Sequence, residues 1–348
     1  MFMFKSSDTI YPPVSIIIVN YNGRKFLEEC LNSVLLTRYP NFEIIFVDNG
    51  STDGSVEYIL RLAQNDSRIK LIQNSTNLGF AEGNNSGIRH ARGEYIVLLN
   101  NDTVVDPNWI AELVKAMEKD QDVAVAQAKL LSYYNHRVID SAGGIIDRWG
   151  FSIDRGMEEV DEGQYDNNQE IFFACFAASI VRKKVFREVG LLDTRFFAMF
   201  EDVDFCWRVR LRGYRAMLVP SAVVYHKRGG TVKTFENTPL FYLVNFHFYK
   251  NRLAMLIKNY GSRNLVKRLP VTLLLQALAF ARNIFIKRDA RLGLAVLKSY
   301  FWVILNLKYI MYRRRICQIT RRVSDNEIEN VMQKHPLTVK FVKRTPER

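Results

Sequence analysis

Between Phe200 and Arg208 the chain reads Phe-Glu-Asp-Val-Asp-Phe-Cys-Trp-Arg, so Glu201, Asp202 and Asp204 fall within four positions among large aromatic side chains. Carboxylates grouped in apolar surroundings raise one another's pKa, and burial adds to the effect, so one of them could take a proton near neutral pH. The same acids suit the first turn of a helix, and the spacing predicts that helix over Asp204 to Arg212. About a hundred residues earlier the apolar run Tyr95 to Leu99 ends in Asn100, Asn101 and Asp102. A strand ending this way delivers Asp102 to the carboxyl edge of a sheet. Ligands of open α/β folds bind there, and one or two carboxylates with substrate phosphates hold a hard divalent cation. The chemistry in outline is a proton acceptor beside a metal-held diphosphate.

The elements that must position these acids are legible in the first third of the chain. Val14 to Asn20 and Phe42 to Val47 are β-branched or apolar runs with little alternation, the pattern of parallel strands buried on both faces, and Ile69 to Gln73 is a shorter third. Lys25 to Leu36 and Val56 to Ala63 carry helical spacing between them. Alternating strands and helices imply right-handed crossovers and a nucleotide-binding α/β layer. The turn-forming stretches Asp48 to Ser55 and Asn77 to Gly87 could bond a base, a ribose or a diphosphate, or simply make turns. Neither holds a three-glycine dinucleotide fingerprint nor a phosphate loop ending in Gly-Lys-Ser/Thr.

In their order along the chain, Val14 to Gly23, Val47 to Ser55, Asn77-Leu78-Gly79-Phe80, Leu98 to Thr103 and Glu201 to Asp204 resemble the motifs of family 2 glycosyltransferases, and most of all a bacterial rhamnosyltransferase-like branch. The resemblance runs from about Val14 to Gly230. It implies a GT-A fold, a mixed, mainly parallel sheet flanked by helices, and inverting transfer of a sugar from a nucleoside diphosphate donor to a hydroxyl. Carried over by position, Asn20 lines the nucleoside pocket and Asp48 bonds the base. Asn77, Gly79, Asn85 and Gly87 form the loop beside the donor, with Asn101 adjoining Asp102. Asp102 matches the last residue of the family's Asp-x-Asp motif and holds Mg²⁺ or Mn²⁺ on the diphosphate. Asp202 matches the catalytic base, with Glu201 and Asp204 beside it on the acceptor side. Spacing alone does not choose between Asp202 and Asp204.

This chain departs from the family's Asp-x-Asp with Asn100-Asn101-Asp102, which leaves one carboxylate and an amide. A neutral ligand weakens the hold on a cation, so the metal is expected to bind with the donor. The resemblance supplies His226 as a further ligand, in Tyr225-His226-Lys227-Arg228-Gly229-Gly230, where Lys227, Arg228 and the glycine turn could steady a leaving diphosphate. The family's acceptor pocket corresponds to residues 127–245. There Phe172 to Val181 reads as a buried strand and Lys183 to Val189 as a short helix. Trp149 and Phe151 could stack on a sugar or pack in the core, and the polar, acidic Asp154 to Glu170 reads as a mobile loop.

Residues 246–348 have another composition, with 22 Lys+Arg against 5 Asp+Glu, whereas the residues before them hold 27 against 31. The runs Leu269 to Ile286 and Leu292 to Met311 are apolar but broken by Gln276, Arg282, Lys298 and Lys308. They fall short of the about twenty clean apolar residues of a spanning helix and read as amphipathic or re-entrant helices in the interface. Lys250, Arg252, Lys258, Arg263, Lys267, Arg268 and Arg313 to Arg315 would meet anionic headgroups. A solvated basic helical subdomain is the alternative. No helix-turn-helix, zinc or RNP pattern accompanies the charge, so nucleic acid is not an expected partner.

The expected organisation is therefore a tail at 1–13, a catalytic domain at 14–245 divided at 126/127 into donor and acceptor parts, and a membrane-associating region at 246–348. The expected location is cytoplasmic, on the inner face of the cell membrane. The expected partners are a dTDP- or UDP-sugar, with dTDP-rhamnose favoured by the resemblance, and a glycan or lipid-linked acceptor. Cys30, Cys175, Cys206 and Cys317 have no paired spacing and read as reduced thiols, and Met1 to Pro13 lacks the pattern of a secretory signal. A nucleotidyltransferase or a catalytically silent scaffold at the membrane are the competing readings.

Overall fold

The computed structural model describes residues 11–167, 169–228 and 238–337. The first strands are β1 (Val14–Asn20), β2 (Phe42–Asp48), β3 (Ile69–Gln73) and β4 (Tyr95–Asn100), joined by helices α1 (Arg24–Leu35), α2 (Ser55–Asn65) and α3 (Gly79–His90). There follow β5 (Thr103–Val105), α4 (Trp109–Lys119), β6 (Val123–Ser132), β7 (Ile139–Ser141), β8 (Gly144–Ile146), β9 (Ser152–Asp154), β10 (Glu170–Ile171), β11 (Ala178–Arg182), α5 (Lys183–Val189), α6 (Glu201–Leu211) and β12 (Arg215–His226). The main sheet runs β10-β12-β6-β11-β4-β1-β2-β3, with β5 on β12 and β7 on β6, while β8 and β9 form a separate hairpin.

Strands β3, β2, β1 and β4 are mutually parallel, β11 is antiparallel between β4 and β6, and β12 is parallel to β6. Because successive side chains of a strand face opposite ways, β1 feeds two cores: Ile16 and Ile18 pack with Leu27, Leu31 and Trp109 of α1 and α4, and Ile17 packs with Ala81 and Ile88 of α3. This is the expected GT-A architecture. The run read as one strand, Phe172 to Val181, is instead split: β10 ends at Ile171, β11 begins at Ala178, and between them Cys175 donates its backbone N–H to Gln127 Oε1 at 2.7 Å. A short apolar run is equally compatible with buried irregular backbone, so its composition could not show the break.

Among the described residues five α-helices follow: α7 (Pro239–Asn259), α8 (Ser262–Ala281), α9 (Ala290–Leu305), α10 (Leu307–Thr320) and α11 (Asp325–Asn330). The expected boundary at 245/246 falls inside α7, whose second half, from Lys250 to Asn259, is buried, with Leu253, Met255 and Leu256 in the same core as α6. The division expected at 126/127 falls inside β6. A π-helical turn, Arg282–Ile286, extends α8, and together they make one helix, Ser262–Ile286, long and apolar enough to cross a membrane, contrary to the reading of this run as too interrupted. Helices α9 and α10 would make a second span only if taken together across a 68° bend.

Candidate active site

The registers of the parallel strands place Asn20 opposite Asp48, and Val19 opposite Asn100, so the polar ends of β1, β2 and β4 share one edge of the sheet. Asn20 Nδ2 donates to Asp48 Oδ1 at 3.2 Å and to Ser51 Oγ at 3.1 Å, and Asn101 Nδ2 donates to Asn20 Oδ1 at 2.7 Å. The approach is so close that a Cβ on Gly23 would lie 2.2 Å from Asn101 Nδ2 and 2.4 Å from Asn20 Oδ1. Asp48 Oδ2 also accepts from the backbone of Gly50 and Ser51. Of the roughly four lone pairs of a carboxylate, these three bonds use all but one, on Oδ1.

The loop after β3 is tied to the same edge. Asn77 accepts from the Gly79 backbone at 2.9 Å, and Asn49 Nδ2 donates to Gly79 O at 3.0 Å. Gly79 takes φ 81°, and a Cβ there would strike Phe197, whose carbonyl accepts from the Ala81 backbone at 3.1 Å. Asn85 and Gly87 are not in this loop. Asn85 exchanges two hydrogen bonds with the Leu192 backbone, at 2.9 and 3.0 Å, and Gly87 lets α3 lie against Ile17, which a Cβ would approach to 2.5 Å. Both lie within α3, so their polarity and smallness serve helix packing.

His226 ends β12, and the β5–β12 register sets it opposite Thr103, next to Asp102. Its Nε2 lies 3.2 Å from Asp102 Oδ1 and its Nδ1 2.8 Å from Asp140 Oδ2. Burial would lower the imidazole pKa, but the two carboxylates outweigh it and hold it up at about 9. The same Asp140 pairs with Arg228 Nε, and Arg228 Nη2 reaches Asp154 Oδ2 at 3.2 Å. Arg228 is thus committed to carboxylates, and Lys227 pairs with Glu29 beside the Tyr133 ring, so neither is left aimed at a diphosphate. Gly229 and Gly230 lie outside the described residues.

Once its proton is displaced, His226 Nε2 would join Asp102 Oδ1, 3.2 Å away, in offering nitrogen and oxygen to a Mn²⁺ or Mg²⁺ that completes its shell with substrate oxygens. Among the described residues no three potential ligands group to enclose an ion.

Helix α6 starts at Glu201 rather than at Asp204, because Phe200 takes the left-handed conformation, φ 70°, and turns the chain there. All three acids therefore sit in its first turn, in three different surroundings. Asp204 is wholly buried: it accepts from Arg208 Nε at 3.0 Å, Lys258 Nζ at 3.1 Å and Asn259 Nδ2 at 3.0 Å. Burial is outweighed by Lys258 and Arg208, and its carboxyl stays below the ordinary range. It is a structural anion and not a group facing an acceptor. Glu201 is buried with Oε2 unpartnered, and burial followed by the charge of Asp202 pushes it well above the usual carboxylate range. Asp202 is only half-buried. Burial first, opposed by the Val203 N–H and helped by the charge of Asp154, brings it to about 7. It alone of the three combines access with a poised proton affinity.

Residues 15–190, half of the chain, match the family described as Glycosyl transferase family 2. The chain belongs to that family. Glycosyltransferase GlyG of Streptococcus pneumoniae is 29% identical over 232 residues, 64% of this chain and 73% of GlyG. O-antigen biosynthesis protein RfbC of Myxococcus xanthus is 29% identical over 223 residues, 62% of this chain. The chain spans only 17% of RfbC, and 26% of another relative that matches it. The mannosyltransferase PcManGT of Pyrobaculum calidifontis, solved with GDP-Man and Mn²⁺, shares the fold at a TM-score of 0.50 and 19% identity, over 89% of this chain and 87% of that one.

Other expected site residues of this family 2 chain lie elsewhere. The turn holding Trp149 and Phe151 packs on the C-terminal helices. The Arg252 guanidinium lies over the Phe151 ring at 3.8 Å, and Thr272 donates to Trp149 O at 3.3 Å. The stretch from Asp154 to Glu170 is anchored, since Lys129 Nζ bonds Asp161 at 3.0 Å and Asp166 at 2.6 Å. Asp140 and Asp154, in contrast, were hidden from the sequence. Each stands in a strand of three residues without a motif, and only the pairing of β7 with β6 and the packing of the β8–β9 hairpin bring Asp140 to His226 and Arg228, and Asp154 to Arg228 and Asp202.

Proposed function

We propose that the protein is an inverting glycosyltransferase that moves a sugar from a dTDP- or UDP-linked donor, dTDP-rhamnose being the first choice, to a hydroxyl of a glycan or lipid-linked glycan in cell-surface polysaccharide synthesis. The observation that carries it is the half-exposed Asp202 beside Asp154, whose partner Arg228 shares Asp140 with His226 and so links this carboxylate to the Asp102–His226 pair. The match to RfbC, an O-antigen biosynthesis protein, supports the polysaccharide context. In the proposed reaction Asp202 takes the proton of the acceptor hydroxyl while its oxygen bonds to the anomeric carbon. The bond from that carbon to the diphosphate breaks, and the electron pair leaves with the nucleoside diphosphate. Asp102 and His226 would hold Mg²⁺ or Mn²⁺, which supplies charge to offset the leaving diphosphate. Asn20, Asp48, Asn77, Gly79 and Asn101 shape the nucleoside side. Thermal unfolding with dTDP, UDP or GDP, each with and without Mn²⁺, tests this: a metal-dependent rise in Tm with dTDP or UDP, lost in Asp102→Ala, is expected. No rise with any nucleoside diphosphate would return the silent scaffold to the front.

The same reading includes attachment to the inner, anionic face of the cell membrane through α8 and α9. Leu274, Leu278, Phe285, Ile286, Phe301, Ile304 and Leu305 are exposed there, with the exposed cations Arg282, Lys287, Arg288 and Arg291 around the turn between the helices. Apolar residues rimmed by cations suit the headgroup boundary of an anionic bilayer.

A further inference from the structure

Three of the four residues that precede Glu201 have positive φ although none is glycine: Phe197 at 64°, Met199 at 71° and Phe200 at 70°. Strained backbone of this kind persists only where its neighbours over-determine it. The neighbour here is α7. The wholly buried side chain of Asn251 donates from Nδ2 to three carbonyls of this one segment, Phe196 O at 3.0 Å, Ala198 O at 2.9 Å and Met199 O at 2.7 Å. Its Oδ1 accepts from Lys250 Nζ at 2.7 Å, and the same ammonium donates to Arg195 O at 2.7 Å. An amide whose hydrogens all go to one irregular segment fixes the path of that segment. The path sets where α6 begins, since Phe200 O is the acceptor for the Asp204 N–H at 2.8 Å.

We propose that Asn251 is a positioning residue for Asp202: from the helix that follows the catalytic segment, its amide holds Phe196 to Met199 in the left-handed path that places Asp202 in the first turn of α6. The proposal rests on the reading of Asp202 as the base. The charged and titratable groups around that turn are Glu201 and Asp204 on α6, Asp154 on β9 with its partner Arg228, the thiols of Cys175 and Cys206, and on α7 both Lys250, which burial brings down to about 7, and His247, which stacks on the Phe197 ring at 5.3 Å and which burial lowers to about 4. The last two are present in all four variants below, so their titration cancels in the comparison.

The test needs no substrate: thermal unfolding of the full chain as wild type, Asp202→Asn, Asn251→Ala and the double variant, at pH 5 and pH 8. A carboxyl held at about 7 in the fold, against 3.8 ordinarily, costs stability as pH rises through that window. Asp202→Asn should therefore raise Tm more at pH 8 than at pH 5, by about 3–5 °C in the native background. With Asn251→Ala that difference should fall by more than half, because Asp202 is no longer held in its place. Met199 is exposed, and Met199→Gly removes the strain at its positive φ, so adding it to Asn251→Ala should restore most of the difference. A pure packing role for Asn251 would not respond to that glycine. A difference that persists undiminished in Asn251→Ala overturns the proposal, whereas a difference absent already from the native background overturns the reading of Asp202. If Asn251→Ala does not fold, Asn251→Leu, which keeps the volume, removes the amide hydrogens and adds no titratable group, carries the same outcomes.

Discussion

The carboxyl edge of the sheet and the C-terminal helices distribute polarity in opposite ways. Around β1, β2 and β4 the strands are apolar throughout, and Asn20, Asp48, Asn101 and Asp102 gather at their ends, where a ligand can reach them. In the C-terminal helices several basic residues are inside, whereas α8 and α9 turn many of their leucines outside. Lys250, Arg252 and Lys258 are buried, and Arg268 and Arg314 bond Glu329 and the carbonyls of Ile257 and Tyr260, while α8 and α9 expose Leu274, Phe285, Phe301 and Leu305. The contrast teaches that the basic residues of the tail fall into two sets. The buried ones neutralise Asp193 and Asp204 or cap loop carbonyls beside α6, while others, such as Arg263, Lys267, Lys287, Arg288 and Arg291, are exposed and are the ones that the proposed membrane contact would use.

The strongest way to break that comparison is at the crevice. Asp202→Asn should lower turnover by about a thousandfold or more while nucleotide binding holds, since it removes the base and keeps the shape. In the wild type, turnover should fall about tenfold for each pH unit below about 7, because only the deprotonated carboxyl accepts the acceptor's proton. Initial rates against pH, with the donor chosen by the nucleotide screen, check both; full turnover by Asp202→Asn would remove the base from the scheme.

Next comes the inside of the tail. Lys258 Nζ bonds Asp193 at 2.5 Å and Asp204 at 3.0 Å, and all three side chains are buried. Lys258→Met should cost about 3–5 kcal/mol in urea unfolding, the penalty of leaving buried charge uncompensated. A loss below about 1 kcal/mol, as for exposed pairs, would mean that the tail docks on the catalytic domain without being part of it. The smallest effect belongs to the outside. Phe285→Ser with Ile286→Ser should weaken sedimentation with phosphatidylglycerol vesicles about tenfold or more, given about 1.5–3 kcal/mol per buried large side chain, and leave Tm unchanged. Unchanged sedimentation would move the membrane contact elsewhere.

Repeating patterns and ordered motifs were legible without coordinates. The unalternating runs of β1, β2 and β4 required strands buried on both faces, and that requirement, with helices between them, led to a nucleotide-binding α/β layer, while the GT-A sheet was what the resemblance of the ordered motifs implied. The acids at strand ends and at Glu201 to Asp204 marked the crevice. What the sequence left open was the division of labour among neighbours of the same type. Asp202 and Asp204 are equal in composition, and only the arrival of Lys258, Arg208 and Asn259 makes one a buried anion and leaves the other accessible. In the same way Asn85 and Gly87 share the composition of a ligand loop but lie within a packed helix, and Asp140 carries no motif at all. Identity and spacing determine periodicity, and so the strands, the helices and the chemistry available. Burial, partners and charge at a given atom depend on residues far away in sequence, so only the tertiary structure could decide which carboxylate remains free to act.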